Sequence, residues 1–435
     1  GHRNFSKVMS YSLTFSFCLS ASFSIISFIS ADFLGTRLLH STELSLAVRF
    51  ISLSLPFASA GSCIKGYFHG IRRVNVPMTG DLIEFAAKWG CLFSGLVFFG
   101  GTDFFYTMTA ASILFGEFIS FVYYAFRYIN EYRTFHTLPL CTAPLATDTF
   151  SGYLKGSLPI LLSGYVQMLM STANELLVPA ALLKYSRSTE NALSCYGCFE
   201  ALIMPALFFP SAVLGSLSGI IIPEAALANR CRDRDIRRKR LSALTDSTFC
   251  KAFSYSFFIA ALFFFGGATA GHILCPEEEL VSRSLVILAP VIPFIYLEIV
   301  LEGLLKGMGR QNFSTVNSLF EYAVRIGCVM IFVGKIGFGG VLISYYASNV
   351  LSNIARIIVV CREAGLRFDI KKYAVCPMLK GIACCIFGKA VVTLTRAGYS
   401  GELVSLVLFV LSASAAFGVI GMGQIKRRKT SCECK

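Results

Sequence analysis

Charge is what this sequence has least of. Only 15% of its 435 residues are Asp, Glu, Lys or Arg, against 55% hydrophobic. A soluble domain carries about 25% charged residues. At this length so few charges cannot cover a surface, which excludes an ordinary cytosolic enzyme and a disordered chain. Acidic residues are the scarcer sign, 25 against 39 basic, for a net charge of +14. In a membrane protein surplus basic residues collect in cytoplasmic loops, which accounts for the excess with no nucleic-acid partner. Histidine is scarce too: His2, His40, His69, His136 and His272 are scattered, and none stands with an acid and a serine in a nucleophile motif. A Walker lysine loop is missing, so ATP is not the evident driver. No secretory signal opens the chain, which begins Gly1-His2-Arg3 without Met. No enzymatic activity, cofactor or metal site is expected.

Cysteine, by contrast, is plentiful, with 16 residues, but most lie inside apolar runs, where a free thiol behaves as a small hydrophobe. The pair Cys195 and Cys198 has no second pair at zinc-ligand spacing, and neither has Cys432 with Cys434.

A bilayer core needs roughly 20 apolar residues per helix. Such runs cover 8–33, 46–69, 82–100, 105–127, 156–183, 197–226, 249–271, 284–305, 314–333, 338–361, 373–395 and 402–423. They are long and continuous, which argues against barrel strands. The fold class is therefore an all-α polytopic membrane protein. The loops between runs alternate in charge. Arg72 and Arg73, Arg127 and Arg133, the dense run Arg230–Arg240, Lys306 and Arg310, Arg362 to Lys372, and the tail Lys426–Lys429 are basic. The intervening loops are nearly bare, holding Arg37, Lys184 and Arg187, Arg283, Lys335 and Arg396, and one carries Glu277, Glu278 and Glu279. By the positive-inside rule the basic set, with the C-terminus, is cytoplasmic. The Arg230–Arg240 run reads as a topology determinant lying over anionic membrane lipids.

Residues 56–91 align with 293–328 without a gap, at a constant offset of 237. Identical pairs include Pro56/Pro293, Gly66/Gly303, Gly70/Gly307, Arg73/Arg310, Asn75/Asn312, Glu84/Glu321 and Cys91/Cys328, and Lys88 pairs with Arg325. Apolar bias would match Leu and Phe, not Glu, Arg and Asn. The offset spans six helices, an even number, so the halves share one orientation, the parallel repeat of some transporters. The division expected is an N-lobe remnant over 1–150 with about four helices, a six-helix C-lobe over 151–365, and two further helices with a basic tail over 366–435. The repeat partners of the fifth and sixth runs would fall before residue 1. With the missing Met, that leads to the expectation of an N-terminal truncation by two spans.

Ionisable residues inside a bilayer are costly and are candidates for function. Glu84 with Lys88, and Glu321 with Arg325, stand at i,i+4, where helical side chains meet. They read either as structural pairs near the interface or as a gate or cation site. Glu175 reads as a proton or sodium site or as an interhelical acceptor. Glu117, Glu298 and Glu302 are similar candidates, and Lys65 and Arg356 suit a phosphate head group. The spacing Gly66-x-x-x-Gly70 and Gly303-x-x-x-Gly307 allows close helix approach, and Pro56 and Pro293 are expected to kink their helices.

These residues carry a resemblance. The stretch Leu55-Pro-Phe, Lys65-Gly-Tyr-Phe-His-Gly70, Asn75 and Glu84 resembles the fourth and fifth helices of the stage V sporulation protein B-like polysaccharide flippases. Asn174-Glu175-Leu-Leu-Val-Pro179 resembles the family's seventh helix, Leu214-Gly-Ser-Leu-Ser218 with Pro223-Glu224 its eighth, and Leu304-Leu-Lys-Gly-Met-Gly-Arg-Gln-Asn312 its tenth. The family is similar to lipid II flippases and drug–cation antiporters, within the multidrug/oligosaccharidyl-lipid/polysaccharide exporter superfamily. The resemblance implies two six-helix lobes plus two helices. It also implies alternating-access flipping of an undecaprenyl-pyrophosphate-linked sugar across the plasma membrane, with a coupling ion (H+ or Na+). Lys65 stands where the family has arginine, keeping the charge and losing the bidentate fork. The alternatives are a drug/cation antiporter of the same superfamily, an inactive truncated remnant, or a membrane enzyme of glycan assembly. The short outer loops argue against the last.

Overall fold

The computed structural model describes residues 2–35, 42–71, 73, 75–99, 105–135, 150–231, 233–395 and 401–433. Every regular element among them is a helix, as the apolar runs predict. Arg37, Arg72, Arg232, Arg396 and Cys434 lie outside the described residues, as do the side chains of Arg133 and of the tail 426–429. By internal contacts the chain forms two compact units, Gly1–Leu161 and Leu162–Lys435.

The first unit contains α1 (His2–Ile29), the short α2 (Ala31–Phe33), α3 (Thr42–Gly70), α4 (Asn75–Phe99), α5 (Phe105–Phe135) and the start of α6 (Phe150–Ser186). Helix α3 packs on α1 and α5, and α4 on α5. The buried cluster is small: Met9, Ile64, Phe68, Val76 and Tyr124. Pro56 lies inside an unbroken α3. Proline has no N–H, so the carbonyl of Ser52 one turn back loses its helical donor. The buried Ser24 of α1 supplies one, donating to the Ser52 oxygen at 2.6 Å. Ser24→Ala should therefore lower stability by about 1–3 kcal/mol, the cost of an orphaned buried carbonyl, read as a fall in melting temperature in detergent.

The second unit holds the rest of α6, then α7 (Thr189–Cys198), α8 (Met204–Phe208), α9 (Ala212–Asn229), α10 (Arg234–Leu274), α11 (Glu279–Leu288), α12 (Ile292–Gly307), α13 (Gln311–Cys328), α14 (Gly334–Ile336), α15 (Phe338–Ala364), α16 (Cys376–Thr395) and α17 (Glu402–Glu433). Asp233 caps α10, its carboxylate accepting from the amides of Asp235 and Ile236. Helix α10 packs against α11, α12, α15, α16 and α17, and the mostly buried α12 contributes heavily to the core. Around Pro293 the helical stretch Glu279–Gly307 tightens over Ala289–Val291, a turn that includes Pro290 and begins at Ala289, whose carbonyl would be the helical acceptor of the N–H that Pro293 lacks. The thirteen described cysteines carry free thiols.

Among the described residues nine helical stretches are long and apolar enough to cross a membrane. Three expected spans, 82–100, 314–333 and 338–361, are not among the nine, although α4, α13 and α15 cover most of each. Their polarity is one-sided. On α4, Leu82, Phe85, Trp89, Phe93 and Val97 are exposed along one face. On α15 Ile343, Leu351, Ile354 and Ile358 are exposed, while Ser344, Ser348, Ser352 and Arg356 are buried. On α13 Val316 and Phe320 are exposed, while Ser314, Asn317, Ser318 and Glu321 are buried. This is the reverse of a soluble helix, whose apolar stripe faces the core. It is the arrangement a lipid-facing helix needs.

The two Gly-x-x-x-Gly motifs behave differently. A Cβ on Gly307 would meet the Ile222 carbonyl oxygen at 2.7 Å and Ala225 at 2.6 Å, and one on Gly303 would overlap Ser218, so both glycines let α12 sit against α9. Gly66, the repeat partner of Gly303, has no atom within 4 Å of such a Cβ.

Candidate functional site: an ion-pair network in each unit

In the first unit the network joins three helices. Lys65 of α3 reaches Asp81 of α4 at 2.6 Å and Glu84 at 3.6 Å. Lys88, one turn on from Glu84, bonds it at 2.6 Å and reaches Glu117 of α5 at 3.0 Å. Tyr124 of α5 donates to Asp81 at 3.0 Å, and its ring lies under the Lys65 ammonium at 5.3 Å. Four of the residues singled out in the sequence are thus one assembly; Asp81 and Tyr124 were missed. Asp81 stands one turn before Glu84 on the same helical face, a signal the sequence did carry. These side chains are partly exposed, Lys88 at 29%. Exposed pairs contribute little, so Lys88→Met should change stability by less than about 1 kcal/mol, within a degree or two of the wild-type melting midpoint.

In the second unit the network is buried. Arg356 of α15 is fully buried, and its guanidinium meets carboxylates on two neighbouring helices: Glu298 of α12 at 3.1 Å and Glu321 of α13 at 3.1 Å, with Glu302 of α12 at 3.9 Å. It also donates to Ser318 at 3.1 Å and Ser352 at 2.7 Å. Ser352 donates to Glu321 at 2.8 Å, and Asn317 donates to Ser352 at 2.8 Å. Arg325 pairs with Glu321 at 2.8 Å, donates to Ser348 at 3.1 Å and lies over the Tyr345 ring at 4.4 Å. The serine and asparagine rungs were also missed. Their spacing of three and four residues along α13 and α15 was visible, but hydroxyls and amides raise no alarm in an apolar run as charges do.

At positions related by the repeat, α4 and α13 carry the same signs: Glu84 matches Glu321, and Lys88 matches Arg325. The flanking helices carry opposite signs. Lys65 of α3 aligns with Glu302 of α12. The partner of Lys88 on α5 is the carboxylate Glu117, whereas α15 offers the cation Arg356 near the aligned position. Each unit thus holds an acid and a base on its constant helix and completes them with opposite flanking charges.

Glu175 belongs to neither network. It is exposed and accepts from the Ser171 hydroxyl at 3.0 Å. It lies within electrostatic reach of Glu200, as does Arg325. Glu200 sits in a wide helical turn over Phe199–Ile203, a type of turn that often marks functional positions.

By sequence, no family model and no curated protein matches the chain. By structure, the chain is similar to an outward-facing multidrug resistance MATE family transporter of the MOP superfamily, with 14% identity, TM-score 0.64, and coverage of 82% of this chain and 78% of that one. It is similar to the lipid II flippase MurJ in an inward closed conformation, at 12% identity and TM-score 0.61, covering 96% of this chain and 84% of that one. It is also similar to a MOP superfamily transporter from Pyrococcus furiosus, at 15% identity and TM-score 0.62, covering 83% and 79%. The chain therefore has the all-helical membrane fold that these MOP superfamily transporters share.

Proposed function

We propose that the chain is a transporter of the lipid-flippase kind, which moves an undecaprenyl-pyrophosphate-linked sugar across the plasma membrane by alternating access and has no enzymatic activity. One observation favours this over a drug/cation antiporter. The MurJ match covers 96% of this chain, whereas the first MATE match covers 82%, a difference of about 60 residues, the size of the segment that holds α16 and α17. In this reading the chain divides at about 150 and 365 into two lobes and a final helix pair, with the basic loops and C-terminus in the cytoplasm. Lys65 and Lys88 of the first unit, partly exposed, meet the pyrophosphate. Glu175 takes the coupling ion, and Arg356 with Glu298, Glu302 and Glu321 holds the second lobe together. The resemblance to the sporulation-type flippases supports a role in cell-wall or polysaccharide precursor export.

Native mass spectrometry in detergent tests the substrate class. A short-chain polyprenyl-pyrophosphate N-acetylglucosamine should bind, and the double variant Lys65→Ala/Lys88→Ala should bind it about tenfold less tightly, from the loss of two charge-assisted contacts. Saturable binding of ethidium with none of the polyprenyl pyrophosphate would favour the antiporter reading.

A further inference from the structure

A second basic site stands apart from both networks. A cleft of about 920 Å3 opens in the second unit between the first turns of α10 and the connection from α15 to α16. Asp235, Arg238, Lys239, Ser242, Ala243 and Asp246 line it from α10. Their spacing of three and four residues puts them on one helical face. Arg367, Asp369, Lys372 and Tyr373 close the other side.

The charges in the cleft do not cancel. Asp246 is taken by Lys372 and the Tyr373 hydroxyl. Asp369 accepts from the amides of Lys371 at 2.9 Å and Lys372 at 3.3 Å. Among the described residues no carboxylate pairs with Arg238, Lys239 or Arg367; with Lys372 these cations stand against Asp235, Asp246 and Asp369, which leaves the lining with a net charge of +1. The exposed Arg238 side chain lies over Gly365, whose left-handed backbone (φ +66°) ends α15 and where any other residue's side chain would meet it. The cleft thus has a net positive lining with one arginine lying against its wall.

Its depth points to the ligand. The lining of α10 ends at Asp246, three residues before the apolar stretch that starts at Phe249, and the other wall lies at the start of the candidate span Lys371–Thr395. Two spans therefore begin at the cleft, where head groups meet hydrocarbon. Ile236 and Ile370, each next to a lining residue, are exposed large hydrophobics at the same level, as are Met378 and Leu379 on the first turn of α16. A soluble anion has no use for such neighbours, whereas an acyl chain does.

We propose that this cleft binds the phosphate of an anionic membrane lipid, with Arg238, Lys239 and Arg367 on the phosphate and the acyl chains along the exposed face of α16. The proposal rests on the chain spanning a membrane. It does not depend on what is transported, so its failure and that of the flippase reading are separately visible.

The test uses the full chain in detergent, with native mass spectrometry counting bound phosphatidylglycerol and a melting curve as second readout. Wild type should retain phosphatidylglycerol over phosphatidylcholine and melt higher with it. Arg238→Ala/Arg367→Ala should bind phosphatidylglycerol about tenfold less tightly. Arg234→Ala/Arg237→Ala removes the same charge from the same basic run outside the cleft and should bind as wild type does. Equal loss in both double variants would overturn the proposal, because attraction would then belong to the run as a whole. Saturation by inorganic phosphate with no preference for phosphatidylglycerol would overturn it too, assigning the cleft to a soluble anion.

Discussion

Arg356→Met should be the most destabilising single change in the second unit, at about 3–5 kcal/mol, the usual cost of breaking a buried ion pair from one side. Arg356 is fully buried and Glu321 nearly so, at 8% side-chain exposure. Methionine fills most of the space but leaves Glu321 and Glu298 facing each other without their shared cation. The charge assembly as a whole is not what stabilises; the damage comes from orphaning one partner. The triple variant Arg356→Met/Glu298→Gln/Glu321→Gln should therefore melt well above Arg356→Met alone, although it carries more changes. Arg356→Lys should fall between, since an ammonium keeps the charge but cannot fork to carboxylates on α12 and α13 together. An Arg356→Met protein melting like wild type would show that the network carries no structural weight.

Gly307→Ala should cost about 1–3 kcal/mol by overpacking, while Gly66→Ala should lie within about 0.5 kcal/mol of wild type. Both positions belong to the Gly-x-x-x-Gly motif that the repeat matches, Gly66 aligning with Gly303 and Gly307 with Gly70, so sequence alone does not separate their effects. The structure predicts unequal ones. At Gly307 the new methyl meets the backbone oxygen of Ile222, and backbone cannot swing aside as a side-chain tip can. At Gly66 the methyl enters open space. The readout is the detergent melting midpoint of the two variants side by side. Equal losses would mean that the α9–α12 contact is not the tight one described.

The contrast between the glycines shows what was legible. Apolar run length fixed the helices, because a bilayer demands about 20 residues whatever the neighbours are. The repeat marked Glu84, Lys88, Glu321 and Arg325, because charge in an apolar run is visible locally. The pairing of Lys65 with Asp81, the Ser24 hydroxyl on the Ser52 carbonyl, and the Ser352 rung between Asn317 and Glu321 depend on which helices adjoin. No local pattern gives that. The proline signal was legible in the same local way as the charges: the helix tightens at Ala289–Val291, in the turn before Pro293.

The most direct measurement of the central claim is translocation. The chain is reconstituted into proteoliposomes with a fluorescent polyprenyl-pyrophosphate sugar, and a membrane-impermeant quencher reads out how much label becomes accessible with time. The account predicts protein-dependent movement of label between leaflets, slowed at least about tenfold by Lys65→Ala/Lys88→Ala. Label that stays in its leaflet in proteoliposomes as it does in protein-free vesicles, while the same vesicles exchange ethidium for protons or sodium, would contradict it.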